Sequence, residues 1–288
     1  MFEQAIQAAS TAAQKKVEAL DRSLPRYLVL AGLAGAYVGL GIALIFAIGA
    51  PLSASNSPFT KVVMGASFGI ALSLVIVAGA ELFTGNAMLL PLGTFAGRAT
   101  WIQLARLWGW SFVGNLIGSI LLAALLAASG SFANDPQRSF IESTAQAKMH
   151  LPFAVAFARG ILANWLVCLA VWCTFRTTSD TARLVMVFWC LFAFIGAGFE
   201  HSVANMTLLA LAVLQPHAES VSWMGYVNNL VPVTLGNLVG GAIFVAVAYW
   251  LASPARRPRV AVETEPLPAT DGALAASGAT VAATTSWS

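Results

Sequence analysis

Charge is what this chain has least of: 9% of its 288 residues are Asp, Glu, Lys or Arg, where a soluble domain carries about 25%. That leaves too little polar surface for a fold in water, and the few charges fall mostly in the termini and short connectors. A net charge of +3, with no basic patch interleaved with aromatics, excludes nucleic acid as a partner. Cysteine is almost missing as well. Cys168, Cys173 and Cys190 lie in apolar stretches without metal-ligand spacing, so they imply neither a disulfide framework nor a zinc site and read as small packing residues. No nucleophile elbow, HExxH helix, phosphate loop or Ser-His-Asp set is present. No metal or cofactor is implied.

What the chain does have is apolar sequence, 58% of the total, with a mean hydropathy of +0.78. A spanning helix needs roughly 20 such residues, at about 1.5 Å each across a core about 30 Å thick. Six stretches qualify: 27–50, 62–89, 102–128, 152–175, 184–214 and 230–252. The expectation is an all-α integral membrane domain over 26–252. A cytoplasmic amphipathic helix at 1–25 precedes it, and a disordered cytoplasmic tail at 253–288, rich in Ala, Thr, Pro, Ser and Gly, follows. The N-terminus is not a signal peptide, because a charged helical pattern comes before any apolar run. Residues 130–150 read as a connector.

Six spans put both termini on one side. Eleven Lys and Arg residues fall there, against Lys61, Arg138, Lys148 and Arg159 on the other side, so both termini are expected in the cytoplasm. Trp101, Trp108, Trp110, Trp223, Tyr226, Tyr249 and Trp250 cluster near span ends and suit an interfacial belt.

The two halves of the membrane region echo each other. Span two ends in Glu81-Leu-Phe-Thr-Gly-Asn86, and span five contains Glu200-His-Ser-Val-Ala-Asn205. Span three carries Gly114-Asn115-Leu116-Ile117-Gly118, and span six Gly236-Asn237-Leu238-Val239-Gly240. The first Gly follows Glu81 by 33 residues and Glu200 by 36. Three spans per half means that the second half enters the membrane from the opposite side, an inverted repeat that can place a site near the midplane on discontinuous helices. The Gly-Asn-Leu-x-Gly segments are expected to bring helix backbones close, with Asn115 and Asn237 bonding across the contact.

Glu81, Glu200 and His201 are the anomalies, since a charge at a span's centre costs at least about 2.5–3.5 kcal/mol on insertion scales. Around them stand Thr84, Gly85, Asn86, Ser202 and Asn205, which are better loop and cap residues than helix-interior ones. Irregular backbone survives at that depth only when buried or facing a cavity. Spans two and five are therefore expected to break here and face a pore. His201, with an ordinary pKa near 6.5, can exchange a proton or present a cation. The two glutamates are expected to hold the breaks by accepting bonds from exposed backbone N–H groups, ahead of any direct proton transfer.

The strings GAELFTGNAM (79–88), NWLVCLAVW (164–172) and GFEHSVANM (198–206) resemble the formate/nitrite transporter family, in particular its bacterial nitrite-channel branch. The similarity runs from about Tyr27 to Pro254. It implies an aquaporin-like protomer in a symmetric homopentamer of the bacterial inner membrane, each protomer with its own pore. It further implies His201 as the central histidine, Thr84 as the loop threonine facing it, Asn164 as a pore-facing asparagine and Lys148 as a lysine at the outer mouth. Asn205 and Glu200 flank the histidine. Apolar constrictions are expected from Phe68 with Leu72 on one side, and from Phe194 with Leu82 on the other. The function implied is passage of a small monovalent anion, nitrite first, with Lys148 drawing it in and His201 able to relay a proton. Formate, hydrosulfide or another small monocarboxylate is the alternative, and a membrane-bound metal-dependent enzyme or a structural or sensor protein would be of another class.

Overall fold

The computed structural model describes residues 2–253, and all regular structure within them is helical. The expected tail lies outside these residues, apart from Ser253. An apolar chain in lipid has no water to satisfy its backbone, so helices that close their own hydrogen bonds are the available solution. Among the described residues, six helical runs are long and apolar enough to span a bilayer.

The chain opens with α1 (Glu3–Arg22), whose buried residues Ala5, Ile6, Ala9, Ala13, Val17 and Leu20 recur at helical spacing. This stripe packs α1 onto the protein body, Ala13 facing Gly93, where an added Cβ would come within 2.6 Å of the Ala13 Cβ. The first span is α2 (Leu24–Ala54). The second is α3 (Thr60–Ser67) and α4 (Gly69–Leu74), ending in a π-helical turn at Val75–Gly79. After a break comes the half-helix α5 (Phe83–Phe95), then the third span, α6 (Trp101–Ala128).

The second half repeats this order. Its leading helix is α7 (Gln137–Met149), followed by the span α8 (Phe153–Thr174), the broken pair α9 (Asp180–Ala197) and α10 (Ser202–Leu214), and α11 (Trp223–Gly241). That last span continues through π-helical Ala242–Val247 into α12 (Ala248–Ala252). Spans one, two, five and six therefore start earlier or end later than hydropathy suggested. Helices run past the apolar stretch until a cap or a turn stops them. The connector expected at 130–150 contains α7, a short helix whose Ile141, Ala145 and Met149 are buried four residues apart. Too few apolar residues mark it for a hydropathy window to find.

Each half is held by one close crossing. A Cβ on Gly118 would lie 1.9 Å from the Gly32 carbonyl oxygen, which seats α6 directly on α2. On the other side, Gly236 and Gly240 seat α11 on α8, where a Cβ would lie 2.2 Å from Phe157 O and 2.4 Å from Ile161 O. The Gly-Asn-Leu-x-Gly segments are thus packing devices, as expected.

Candidate functional site

Both expected breaks are present and are built alike. In the first, Gly79 turns the chain at φ 82°, Ala80 is extended, and α5 begins at Phe83. In the second, Gly198 turns it at φ 73°, His201 is extended, and α10 begins at Ser202. A Cβ at either glycine would meet nothing within 4 Å, so the left-handed conformation itself is what asks for glycine. A residue that follows each turn outside the helices borrows a neighbouring helix carbonyl: Glu81 N donates to Leu30 O at 3.1 Å and Glu200 N to Arg159 O at 3.2 Å. Both half-helices start at the breaks, so their positive dipole ends lie there.

Asn115 and Asn237 tie the breaks down. Asn115 Oδ1 accepts from Phe83 N at 2.9 Å, while its Nδ2 donates to Ala31 O and Glu81 O, each at 2.8 Å. Asn237 does the same on the other side, accepting from Ser202 N at 2.8 Å and donating to Gly160 O at 2.7 Å and Glu200 O at 3.1 Å. This corrects the expectation that the glutamate carboxylates hold the breaks. Each break offers an N–H together with carbonyls; an amide matches both, whereas an ionised carboxylate only accepts.

The carboxylates take lysines instead. Lys148, from α7, donates to Glu200 Oε1 at 2.7 Å and Oε2 at 2.8 Å. Asn205 Nδ2 donates to Glu200 Oε2 at 2.7 Å and to Asn229 Oδ1 at 2.8 Å, and Asn229 Nδ2 in turn reaches Lys148 O at 3.0 Å. Across the repeat, Lys16 from α1 donates to Glu81 Oε2 at 2.6 Å, and Tyr27 OH lies 3.4 Å from the same oxygen. Lys16, Tyr27 and Asn229 were missed from the sequence. A signal did exist: two carboxylates at membrane depth require two cations, and Lys16 stands ahead of the first three spans as Lys148 stands ahead of the second.

His201 is buried at the start of α10. Ala204 N–H can only donate, so the 3.2 Å bond between them makes Nδ1 an acceptor. The neutral ring then carries its proton on Nε2, which lies 3.0 Å from Thr84 Oγ1 on the opposite half-helix. Thr84 accepts that proton's bond and keeps its own hydroxyl proton to donate elsewhere. A second proton at Nδ1 would face the Ala204 N–H and undo the cap.

Two cavities approach this pair. One of about 610 Å³ opens on the α7 face and is lined by Lys61, Lys148, Arg159, Glu200, Asn205 and His201, among others. One of about 400 Å³ opens on the α1 face, with Lys16, Glu81, Leu72 and Leu82 on its wall. Between them remains a void of about 10 Å³, bounded by Phe68, Leu72, Leu82, Phe194 and His201 with Val38, Val167 and Leu191. It is at the limit of holding one water.

The four residues expected at the constrictions all border that void. Phe68 meets Phe194 edge to face, ring centroids 5.5 Å apart, and Phe194 lies along His201 at 5.8 Å. Leu72 and Leu82 share the wall of the α1-face cavity. Phe68 therefore lies beside Phe194 from the other half, and Leu72 shares a wall with Leu82 from its own half, whereas the expectation grouped Phe68 with Leu72 and Phe194 with Leu82. Asn164 is on neither cavity wall. Its Nδ2 donates to Thr84 O at 3.1 Å and Asn237 O at 2.6 Å, so it stands behind Thr84.

Residues 3–251 match the family model for the formate/nitrite transporter. The nitrite transporter NirC of Salmonella typhimurium is 46% identical over 241 residues, which cover 83% of this chain and 88% of that protein. Among solved structures, an FNT family ion channel superposes with a TM-score of 0.84 at 42% identity, covering 88% of this chain and all of the other. A pentameric formate channel with formate bound gives a TM-score of 0.70 at 31% identity, covering 80% of this chain and 98% of the other. With the repeat, the paired breaks and the central His201 already in place, these likenesses settle the assignment: this multi-pass membrane protein belongs to the formate/nitrite transporter family.

Proposed function

We propose that each copy of the chain conducts a small monovalent anion, nitrite first, between the two cavities and past His201. The observation that carries this reading is the His201 Nε2–Thr84 Oγ1 contact of 3.0 Å, a polar pair set between apolar side chains. An anion leaving water loses hydration at Phe68 and Phe194 or at Leu72 and Leu82. The Thr84 hydroxyl and the His201 ring return hydrogen bonds to it at the centre, and the N-terminal ends of α5 and α10 add a positive potential. Nitrite is favoured because the NirC transporters are 46% identical over most of the chain. Formate is the second reading, favoured by the solved relative that holds it.

A protonated anion crosses the apolar rings more easily than a charged one, and His201 is the group placed to exchange that proton. The charged ring would give up its bond to Ala204 N, which favours a short-lived donor over a resting cation. Homopentamer formation is supported by the pentameric relative. The excess of basic residues on the α1 side supports placing both termini in the cytoplasm, across a bacterial inner membrane.

His201→Phe in proteoliposomes tests the central step, with nitrite flux followed across pH. The expected result is reduced flux whose pH dependence is gone. Flux and pH dependence equal to the parent's would sink the relay. Competition between nitrite and formate at two pH values ranks the substrates.

A further inference from the structure

The two cavities differ in charge. On the α7 face the wall carries three cations, Lys61, Lys148 and Arg159, against one described carboxylate, Glu200. Lys148 gives its ammonium to both Glu200 oxygens, so that pair projects little net field. Lys61 and Arg159 are exposed, and neither forms an ion pair among the described residues. On the wall of the α1-face cavity the only described charges are Lys16 and Glu81, paired at 2.6 Å. With His201 neutral, the described wall of one cavity holds a surplus of two positive charges and that of the other none.

Helix stability does not account for Lys61. Lys61 sits in the first turn of α3, the end of a helix where a cation is disfavoured. The Arg159 main chain is fastened to the break, its carbonyl accepting from Glu200 N, so the residue beside the pore is held in place whatever its side chain does. We propose that Lys61 and Arg159 form an anion-collecting site on the wall of the α7-face vestibule, attracting small monoanions by their field inside that cavity and speeding entry from that face. The idea rests on the reading of the chain as an anion channel, and it moves the attracting role from Lys148 to these two residues. A cleft with low-dielectric walls concentrates such a field.

The test uses the full-length protein in proteoliposomes with a reporter cysteine at Thr144, on the same wall. Its reaction rates with an anionic and a cationic thiol reagent of similar size are compared, with protein lacking that cysteine as the blank. Charges about 10 Å away across water each change a monoanion's local concentration up to about twofold. At about 0.01 M salt, where the Debye length is about 30 Å, the double variant Lys61→Gln with Arg159→Gln should lower the anionic-to-cationic ratio by about five- to tenfold. At about 1 M, where that length is about 3 Å, the effect should nearly vanish. Nitrite entry from the α7 face should fall about threefold at low salt, with entry from the α1 face unchanged. A low-salt ratio equal to the parent's overturns the proposal, as does a drop that persists at high salt or equal slowing from both faces. A lowered ratio in protein that passes no nitrite supports the collecting site and removes the conduction reading instead.

Discussion

Removing the Asn237 side chain would show what holds the second break. In the structure that one amide serves three backbone groups: Ser202 N at 2.8 Å, Gly160 O at 2.7 Å and Glu200 O at 3.1 Å. Asn237 is fully buried, so in Asn237→Ala water is poorly placed to replace it. An unmade buried hydrogen bond costs about 1–3 kcal/mol, and the two carbonyls fall low in that range because each keeps a second lone pair. The expected loss is about 3–6 kcal/mol in total. Asn237→Asp should do no better. It keeps the acceptor for Ser202 N but sets a carboxylate against two carbonyls. Thermal unfolding in detergent, beside nitrite flux in liposomes, measures this: the apparent melting temperature should fall by about 10 °C or more, and the pore should fail with it. Ser119→Ala is the control, since its buried hydroxyl has no partner among the described residues and its loss should cost less than about 0.5 kcal/mol. If Asn237→Ala melts within about 2 °C of the parent and conducts as well, the amide is not what holds the break.

Two further outcomes follow from the same geometry. Gly118→Ala places a methyl 1.9 Å from the Gly32 carbonyl oxygen and must drive α6 off α2, costing about 3 kcal/mol, whereas Gly109→Ala, with nothing within 4 Å, should be neutral in the same thermal assay. Glu200→Gln leaves the Lys148 ammonium without its carboxylate. Because Lys148 keeps some contact with solvent, the expected loss is about 2–3 kcal/mol, the low side of a broken buried pair, while low-salt nitrite entry from the α7 face rises severalfold. Slower entry there would show that the carboxylate has a direct role in passage.

Much of this architecture can be read from one-dimensional patterns. Hydropathy finds spans because lipid demands a long apolar stretch wherever the backbone crosses. The inverted repeat is visible because the same few residues, a Gly, a Glu and an Asn around each break and a Gly-Asn-Leu-x-Gly in the following span, solve one packing problem twice. His201 stands out because a titratable group in an apolar span is costly to keep. Partnerships across the chain are another matter. Lys16 meets Glu81 over 65 residues, Lys148 meets Glu200 over 52, and His201 meets Thr84 over 117, separations that no local period encodes.

The tertiary structure therefore decided which side chains hold the breaks, which lysines are neutralised and which apolar residues lie side by side. Sequence alone determined that spans two and five break at Glu81 and Glu200, since polar residues that cap and turn the chain act on their own neighbours. It could not say that Asn115 and Asn237, not the carboxylates, bind those breaks. That outcome depends on α6 and α11 lying close enough, through Gly118 on one side and Gly236 on the other, for an amide to reach an N–H and two carbonyls at once.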